Sequence, residues 1–421
     1  MKASKLHVIL GCLLISAFFI EGVSDMAVSN YLNAPNDIEL RYNESCCAHD
    51  GINPFHIWSG AVVNDHYKGI RRYDKPYDQS ETKRRVHAYT PWHMAMTWFY
   101  GWMDFPFLLA LVFAASGFCL AVLGYRLRGA VVNGNIFLSC ALWFMLFPAL
   151  IGLYLSGNYG LILAGLLLLL MYCVKRDWQI AAGVLWAVML VKPQVSALFF
   201  FSLLFQRKYK AIVIACVICG LLTLWPAYVF HESPIDLVRQ VLDMTKPYET
   251  NVIFRTVLPV SVAPFAKMSW TLLCVMGCAW LCWRARDGKD VVVRYAAPAF
   301  FFPVWMYGQV YDRVVQWPFL SLLIPMTVLA LRGDYGKRGK CLAFCFVLGM
   351  TVVSAFRGCW NLAFAFGVTH GFGLFYNAVD FPLSCLVVLI EFIALLAMAN
   401  VFFTASVHRR VLLGSRSSGS S

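Results

Sequence analysis

Residues 159–176 read YGLILAGLLLLLMYCVKR, an apolar run that ends in a Lys-Arg pair. A helix that crosses the hydrocarbon core of a bilayer needs about 20 mainly apolar residues. The run is slightly shorter than that, but it carries no charge before Lys175. We therefore interpret it as a transmembrane helix and expect further helices of the same kind along the chain.

Similar apolar runs recur over the whole of the 421 residues. Several are shorter than a full crossing, so we expect some broken or partly re-entrant helices. The predicted fold is an all-α polytopic membrane protein with about 12 transmembrane helices. The predicted runs are 6–24, 104–124, 132–152, 159–174, 178–192, 193–205, 211–230, 266–284, 291–308, 315–332, 341–356 and 381–405.

Basic clusters support this topology, because they fall at the same end of alternate runs. If the runs alternate in direction, every cluster lies on one side, and the positive-inside rule makes that side cytoplasmic. Both termini are then expected in the cytoplasm. The clusters are Lys2 and Lys5; Arg126 and Arg128; Lys175 and Arg176; Arg207, Lys208 and Lys210; Arg284, Arg286 and Lys289; Arg332, Lys337, Arg338 and Lys340; and Arg409 and Arg410.

The composition excludes several protein classes. Hydrophobic residues make up 60% of the chain and charged residues 14%, whereas soluble domains carry about 25% charged residues. Mean hydropathy is +0.66. A soluble enzyme, a disordered protein and a soluble nucleic-acid binder are therefore excluded. The net charge of +13 reports membrane topology before it reports any nucleic-acid partner.

We expect one transmembrane domain over residues 1–413 and a flexible Gly/Ser-rich tail at 414–421. The first run, 6–24, follows Lys2 and Lys5, so it is either a retained helix or a cleaved signal peptide. The adjacent Cys46 and Cys47 are either free thiols or partners of another exposed cysteine such as Cys359.

Polar residues concentrate in three segments on the outer side, at 25–103, 231–265 and 357–380. The inner loops are short and basic, and no GxxxxGK[ST] motif occurs, which disfavours an ATP-driven pump. Chemistry is therefore expected on the outer face. Free nucleotide sugars are generally absent there, so an activated substrate must arrive already attached to lipid.

The first outer segment carries the candidate acid. Its sequence Asn36-Asp37-Ile38-Glu39-Leu40-Arg41-Tyr42 offers Asp37, with Glu39 and Asp50 as rivals. In a helix Asp37 and Arg41 share a face, so Arg41 either keeps Asp37 ionised or holds it in an inert salt bridge. Residues 87–93, HAYTPWH, are aromatic and contain Pro91, which predicts a short helix at the membrane interface.

The second candidate is Val191-Lys192-Pro193-Gln194, between two short apolar runs. An ionisable residue at membrane depth is a functional hypothesis, because its burial is costly. Pro193 is expected to break the helix and to free backbone groups. The alternative is that Lys192 extends to the outer headgroups.

A third polar stretch, residues 303–313, reads PVWMYGQVYDR and joins the outer ends of two runs. Asp312 and Arg313 either face a substrate or form a structural ion pair at a turn. Arg255 lies in another outer segment and could reach the same mouth.

In this order, these features resemble the polytopic polyprenol-dependent enzymes of glycosyltransferase family 87, in the C-type superfamily, over roughly residues 30–330. The outer-loop acid and the following aromatic residue match Asp37 and Tyr42. A Gly-x-x-Pro-aromatic element matches Gly51, Pro54 and Phe55, and a Tyr-x-Pro-Pro-like stretch matches 89–92 with Trp92 in place of the second Pro. The Lys-Pro element matches Lys192 and Pro193. Asp312-Arg313 stands where the family usually carries His-His.

The resemblance implies sugar transfer, often of mannose, from a polyprenyl-phosphate sugar to a lipid-linked or glycan acceptor. It implies no nucleotide, metal or other cofactor, and it places the general base on Asp37. The expected location is the bacterial inner membrane, with an outward site and with membrane lipids rather than nucleic acid as surroundings.

The proposed reaction is an inverting single displacement at the anomeric carbon, in which a carboxylate takes the proton of the acceptor hydroxyl. Fixed cations would stabilise the leaving phosphate, with Lys192 first and Arg255 and Arg313 next. The remaining expected substrate contacts are Arg41, Tyr89, Trp92, Gln194, Tyr311 and Asp312. For Tyr89 and Trp92 an interfacial aromatic belt is the alternative.

Two other functions fit parts of the pattern. A secondary transporter or flippase of lipid-linked sugars would show paired broken helices, and only the break near residue 192 is evident. A polymerase or ligase of lipid-linked glycans would share the outward site and the lipid phosphate.

Overall fold

The computed structural model describes residues 37–59, 90–104, 159–245, 263–285, 291–305, 315–332, 336–365 and 386–397, with single positions at 16 and between 107 and 118. Every regular element in these ranges is helical, in agreement with the predicted all-α class. The run 132–152, the tail 414–421, and almost all of 6–24 lie outside the described residues.

The chain divides into two compact units. The larger unit comprises residues 33–121 and 152–315, and the other comprises residues 1–32, 122–151 and 316–421. The expectation of one transmembrane domain over residues 1–413 remains a prediction.

The larger unit begins with short helices: α1 (Asp37–His49), α2 (Pro54–Ser59), α3 (Pro91–Thr97) and a 3₁₀ turn (Trp98–Trp102). Proline opens α2 and α3, where its missing N–H needs no partner. After α1, Gly51 has a φ of 74°, which allows the left-handed turn that terminates the helix. In this turn Ile52 N–H donates to Cys47 O at 2.8 Å. Cys46 and Cys47 are buried on α1, and neither forms a disulfide within the described residues.

The apolar part of this unit contains eight helices in the described residues. α5 packs between α4 and α8, α7 contacts α8, α10 and α11, and α10 packs on α11. α4 to α8 are Gly160–Lys175, Gln179–Met189, Pro193–Ser196, Phe199–Phe205 and Tyr209–Phe230; α9 to α11 are Pro234–Thr245, Ala263–Arg284 and Val291–Trp305.

Most predicted runs match these helices within a few residues, with two differences. The run 193–205 is split into α6 and α7, because Leu198 lies between two short helical turns. α9 lies within the polar segment 231–265, where no helix was predicted. At its N-terminus the backbone N–H of Asp236 donates to Ser233 Oγ at 3.1 Å, a side-chain cap that local apolarity does not reveal.

The second unit contains α12 (Trp317–Arg332), α13 (Gly336–Ala365) and α14 (Leu386–Ala397). α12 packs against α13. The predicted crossing 341–356 ends where the apolar part of α13 ends, at Phe356, and helical hydrogen bonding continues to Ala365 through a more polar sequence. Among the described residues, Tyr209–Phe230 and Gly336–Phe356 are long and apolar enough to span a membrane. The count of about 12 remains a prediction.

The close contact between α5 and α8 gives a first test. A methyl group at Gly183 would lie 2.7 Å from Ala211 O, which is backbone and cannot move aside. Gly183→Ala should therefore lower the free energy of unfolding by roughly 1–3 kcal/mol, measured by denaturant titration in detergent. Gly220→Ala is the matched control, because nothing lies within 4 Å of its added methyl group. It should raise stability by about 0.5–1 kcal/mol. Equal stability of the two variants would contradict the packing.

Candidate active site

α1 presents a buried polar face with an ion pair at its centre. Arg41 Nη1 donates to Glu44 Oε2 at 2.6 Å, and both side chains are at most 2% exposed. Ser45, fully buried, donates to Arg41 O at 2.8 Å. Asp37 is the first residue of α1, one helical turn before Arg41. The sequence allowed a salt bridge between Arg41 and Asp37. The bond that the structure shows for Arg41 is the one to Glu44.

α3 packs against this face of α1. Ser45 Oγ also lies 3.0 Å from Thr97 Oγ1. His93 is fully buried on the same helix. Burial lowers the pKa of His93 well below its ordinary value, and the charge of Arg41 lowers it further. The His93 imidazole is therefore neutral at neutral pH and can both donate and accept a hydrogen bond.

Trp92, which precedes His93 on α3, contacts the turn that contains Lys192. Trp92 Nε1 donates to Leu190 O at 3.0 Å, and Leu190 lies two residues before Lys192. Trp92 is half-buried, so its indole nitrogen is used in a bond to the protein. α3 thus contacts the turn that contains Lys192 through Trp92, and the helix that begins at Asp37 through Thr97.

The helix break predicted at Pro193 is confirmed, since α5 ends at Met189 and α6 begins at Pro193. Lys192 has non-helical backbone angles (φ −120°, ψ 76°), outside the α region that a following proline disfavours. Its side chain is buried, with 2% of the residue exposed. Lys192 therefore does not extend to solvent, and Gln194 follows it as a half-buried residue of α6.

Side chains satisfy the carbonyl groups that the break frees. Ser196 Oγ donates to Met189 O at 2.7 Å, and it also lies 3.1 Å from Lys192 O. Trp186 Nε1 donates to Ser196 O at 3.1 Å. These bonds fix the backbone on both sides of Lys192, so the side chain of Lys192 is attached to a well-supported turn.

Tyrosine hydroxyls connect α1 and the 3₁₀ turn with the residues around them. Tyr42, which is 1% exposed, donates to Met103 O at 3.0 Å. Tyr159, just before α4, lies with its hydroxyl 3.2 Å from that of Tyr100. The Tyr159 ring is also 6.0 Å from the ring of His93. α1, α3 and the start of α4 therefore form one rigid support.

A second polar network joins the loop before α2 to α9. Asn53 Nδ2 donates to Glu232 Oε1 at 2.7 Å and to Gln240 Oε1 at 3.0 Å. Gln240 Nε2 donates to Glu232 Oε2 at 2.7 Å. His56 Nε2 is 3.1 Å from Glu232 Oε1. α2, α3, α8 and α9 also share an apolar core, which contains Phe55, Met94, Ala227, Phe230 and Leu237.

Five residues of the predicted set lie in the described part of the larger unit. Arg41, Trp92, Lys192 and Gln194 lie in the described part of the larger unit, with Asp37 at the start of α1. Tyr89, Arg255, Tyr311, Asp312 and Arg313 lie outside the described residues. The buried polar residues that sequence reasoning missed are Glu44, Ser45, His93 and Thr97. For Glu44 a local signal existed, since it lies three residues after Arg41 on a helix.

Among the described residues, no group of three or more His, Cys, Asp or Glu side chains has an arrangement that could hold a metal ion. The described residues offer the buried Arg41–Glu44 ion pair, the buried Lys192, neutral hydrogen-bonding side chains and aromatic rings.

The comparisons with known proteins identify the family. The model of glycosyltransferase family 87 matches residues 87–302, just over half of the chain. The match includes α3, the Lys192 turn and α8, whereas α1 precedes it. No curated protein and no solved structure matches the chain. The chain belongs to glycosyltransferase family 87 and is a membrane glycosyltransferase.

Proposed function

We propose that the protein transfers a sugar from a polyprenyl-phosphate sugar to a lipid-linked or glycan acceptor on the non-cytoplasmic side of the membrane. The observation that supports this proposal is the position of α3. Its residues Trp92 and Thr97 form hydrogen bonds with Leu190 in the Lys192 turn and with Ser45 of α1, respectively. An acid at the start of α1 and a buried cation are thereby held in one unit, as transfer from a lipid phosphate requires.

In the proposed reaction the acceptor hydroxyl attacks the anomeric carbon, and the bond from that carbon to the phosphate oxygen breaks. Asp37 takes the hydroxyl proton, a contribution of about 10²- to 10⁴-fold. The lipid phosphate leaves with the bonding electrons, and the configuration at the anomeric carbon inverts. Lys192 stabilises the charge that develops on the phosphate, since a buried cation acts more strongly than one in water.

The other predicted residues complete this proposal. Arg255 and Arg313 are proposed to bind the phosphate, and Tyr89, Gln194, Tyr311 and Asp312 to contact the substrates. Trp92 can offer only its ring face to a sugar, because its indole nitrogen donates to Leu190 O. We now propose that Arg41 supports α1 through its bond to Glu44 instead of contacting substrate.

The direct test is incubation of the purified protein with a panel of polyprenyl-phosphate sugars and lipid extracts, followed by mass spectrometry. We expect a product whose mass exceeds that of an acceptor lipid by one sugar, with mannose as the first sugar to try. Nucleotide sugars in the same assay should give no product. Product from a nucleotide sugar, or none from any lipid-linked sugar, would contradict the proposal.

Lys192→Met tests the phosphate contact. Loss of a charge-assisted hydrogen bond should raise the apparent KM for the lipid donor by about 10- to 100-fold, with a smaller effect on the acceptor. Lys175→Met is the matched control, because Lys175 is exposed at the end of α4. Steady-state kinetics with each substrate varied in turn would measure both values. An unchanged donor KM would remove Lys192 from the phosphate site.

A further inference from the structure

Two loops of the larger unit have the same backbone structure. α4 ends in a turn with Asp177 at φ 59°, and α7 ends in a turn with Arg207 at φ 58°. The next residue bonds back to the last helical turn in both, with Trp178 N–H donating to Cys173 O at 2.9 Å and Lys208 N–H to Leu203 O at 3.0 Å. Both turns are thus Schellman caps, which close a helix and reverse the chain.

An ion pair joins the two loops into one surface. Lys208 Nζ donates to Asp177 Oδ1 at 2.7 Å, and Gln179 Nε2 donates to the same oxygen at 3.1 Å. The bond from Lys208 lowers the pKa of Asp177. α5 and α8, which follow the two loops, pack directly against each other. The loops therefore occupy neighbouring positions at one end of the helices.

This surface keeps a strong positive charge. Residues 172–180 and 205–210 contain five Lys or Arg residues and one carboxylate, which Lys208 already binds. The basic side chains are accompanied by aromatic ones: Arg176 Cζ lies 5.5 Å from the Tyr172 ring centre, and that ring meets Trp178 edge-on at 5.8 Å. We call this set the basic collar; its exposed members are Lys175, Arg176, Arg207, Lys210, Tyr172, Trp178 and Tyr209.

The helices beside the basic collar show which partner it fits. α8 is long and apolar enough to span a membrane and begins at the collar, so the collar lies at a membrane surface. Exposed apolar side chains continue from it along the helices, with Leu169, Ile180 and Val213 each more than half exposed. A soluble acidic partner would leave these apolar side chains exposed, whereas the acyl chains of a lipid would cover them.

We propose that the basic collar is a binding site for anionic glycerophospholipid, with the headgroup phosphate held by Arg176, Arg207 and Lys210 and the acyl chains against α4, α5 and α8. The N-termini of α5 and α8 open at the collar and add partial positive charge. Basic clusters next to transmembrane helices attract anionic lipid in this way. The proposal does not depend on Asp37, on Lys192 or on the sugar donor.

The test uses the full chain in vesicles of phosphatidylcholine with a minor fraction of phosphatidylglycerol. Ile180, which is 58% exposed beside the collar, is replaced by photoreactive p-benzoylphenylalanine, and crosslinked lipids are identified by mass spectrometry. We expect phosphatidylglycerol at no less than about five times its bulk fraction, the effect of a single basic residue at a surface. In the Arg176→Gln/Arg207→Gln/Lys210→Gln variant the crosslinks should return to the bulk ratio.

Two controls separate a site from bulk charge and from misfolding. Lys337→Gln/Arg338→Gln/Lys340→Gln removes three charges from α13 in the other unit and should leave the enrichment unchanged. Arg176→Lys/Arg207→Lys keeps the charge of the collar and should keep the enrichment. The proposal is overturned if phosphatidylglycerol crosslinks only at its bulk fraction. It is also overturned if the enrichment survives the triple collar variant or is lost equally in the α13 variant.

Discussion

Replacement of Asp37 by Asn is expected to lower the rate of sugar transfer by about 10²- to 10⁴-fold, the usual contribution of a general base. The amide has nearly the shape of the carboxylate but cannot accept the proton of the acceptor hydroxyl. Binding of the lipid donor should remain close to wild type, because the proposed phosphate contact comes from Lys192, in the turn between α5 and α6. Initial rates with saturating donor and acceptor, together with a separate donor-binding measurement, would show this division.

Asp50→Asn is the matched control for Asp37→Asn. Asp50 follows α1 directly, and its side chain is exposed beside His49, with Nδ1 of the histidine 3.3 Å from Oδ1. The change is chemically identical and occurs at the other end of α1, yet it should leave the rate unchanged. Full activity in Asp37→Asn, or loss of activity in Asp50→Asn alone, would move the role of base away from Asp37.

The Lys192 turn could be predicted from the sequence because its signals are local. A lysine next to apolar residues and a proline directly after it both occur within the four residues 191–194. The structure confirms the helix break, with α5 ending at Met189 and α6 beginning at Pro193, and it buries Lys192. The membership in glycosyltransferase family 87 also agrees with the ordered motifs from which it was inferred.

The support around α1 could not be predicted, because its contacts join distant parts of the chain. Ser45 meets Thr97 across 52 residues, and Asn53 meets Glu232 across 179 residues. Helix periodicity offers Arg41 two carboxylates at suitable spacing, Asp37 and Glu44. The observed bond to Glu44 lies on a face of α1 that is closed by α3, and no local pattern reports that packing.

The end of α13 could not be predicted for a different reason. Arg357 and Asn361 interrupt the apolar sequence after Phe356, which favours a loop when apolarity alone is considered. A helix needs backbone hydrogen bonds and not apolar side chains, so α13 extends beyond the part that is apolar enough to span a membrane. Hydropathy therefore located the apolar segment and not the helix end.

The buried ion pair between Arg41 and Glu44 predicts a large effect on stability. Glu44→Met or Arg41→Met alone leaves one charge buried without its partner, which typically costs 3–5 kcal/mol, so about that loss is expected. Replacing both residues by Met removes both charges and keeps much of the volume, so the double variant should recover most of the lost stability. Denaturant titration of the four proteins in detergent gives the coupling energy of the pair.

An exposed pair of the same spacing is the control for this cycle. Arg239 Nη1 lies 3.2 Å from Asp236 Oδ1, also three residues apart on a helix, but the side chains are 72% and 53% exposed. Arg239→Met should change the free energy of unfolding by less than about 1 kcal/mol, because water screens the charges. If the Arg41→Met/Glu44→Met double variant is as unstable as the less stable single variant, the role of the pair is not limited to charge neutralisation. One of the two residues then has a second role on α1. If sugar transfer falls by more than the amount of folded protein, that second role is contact with the substrate.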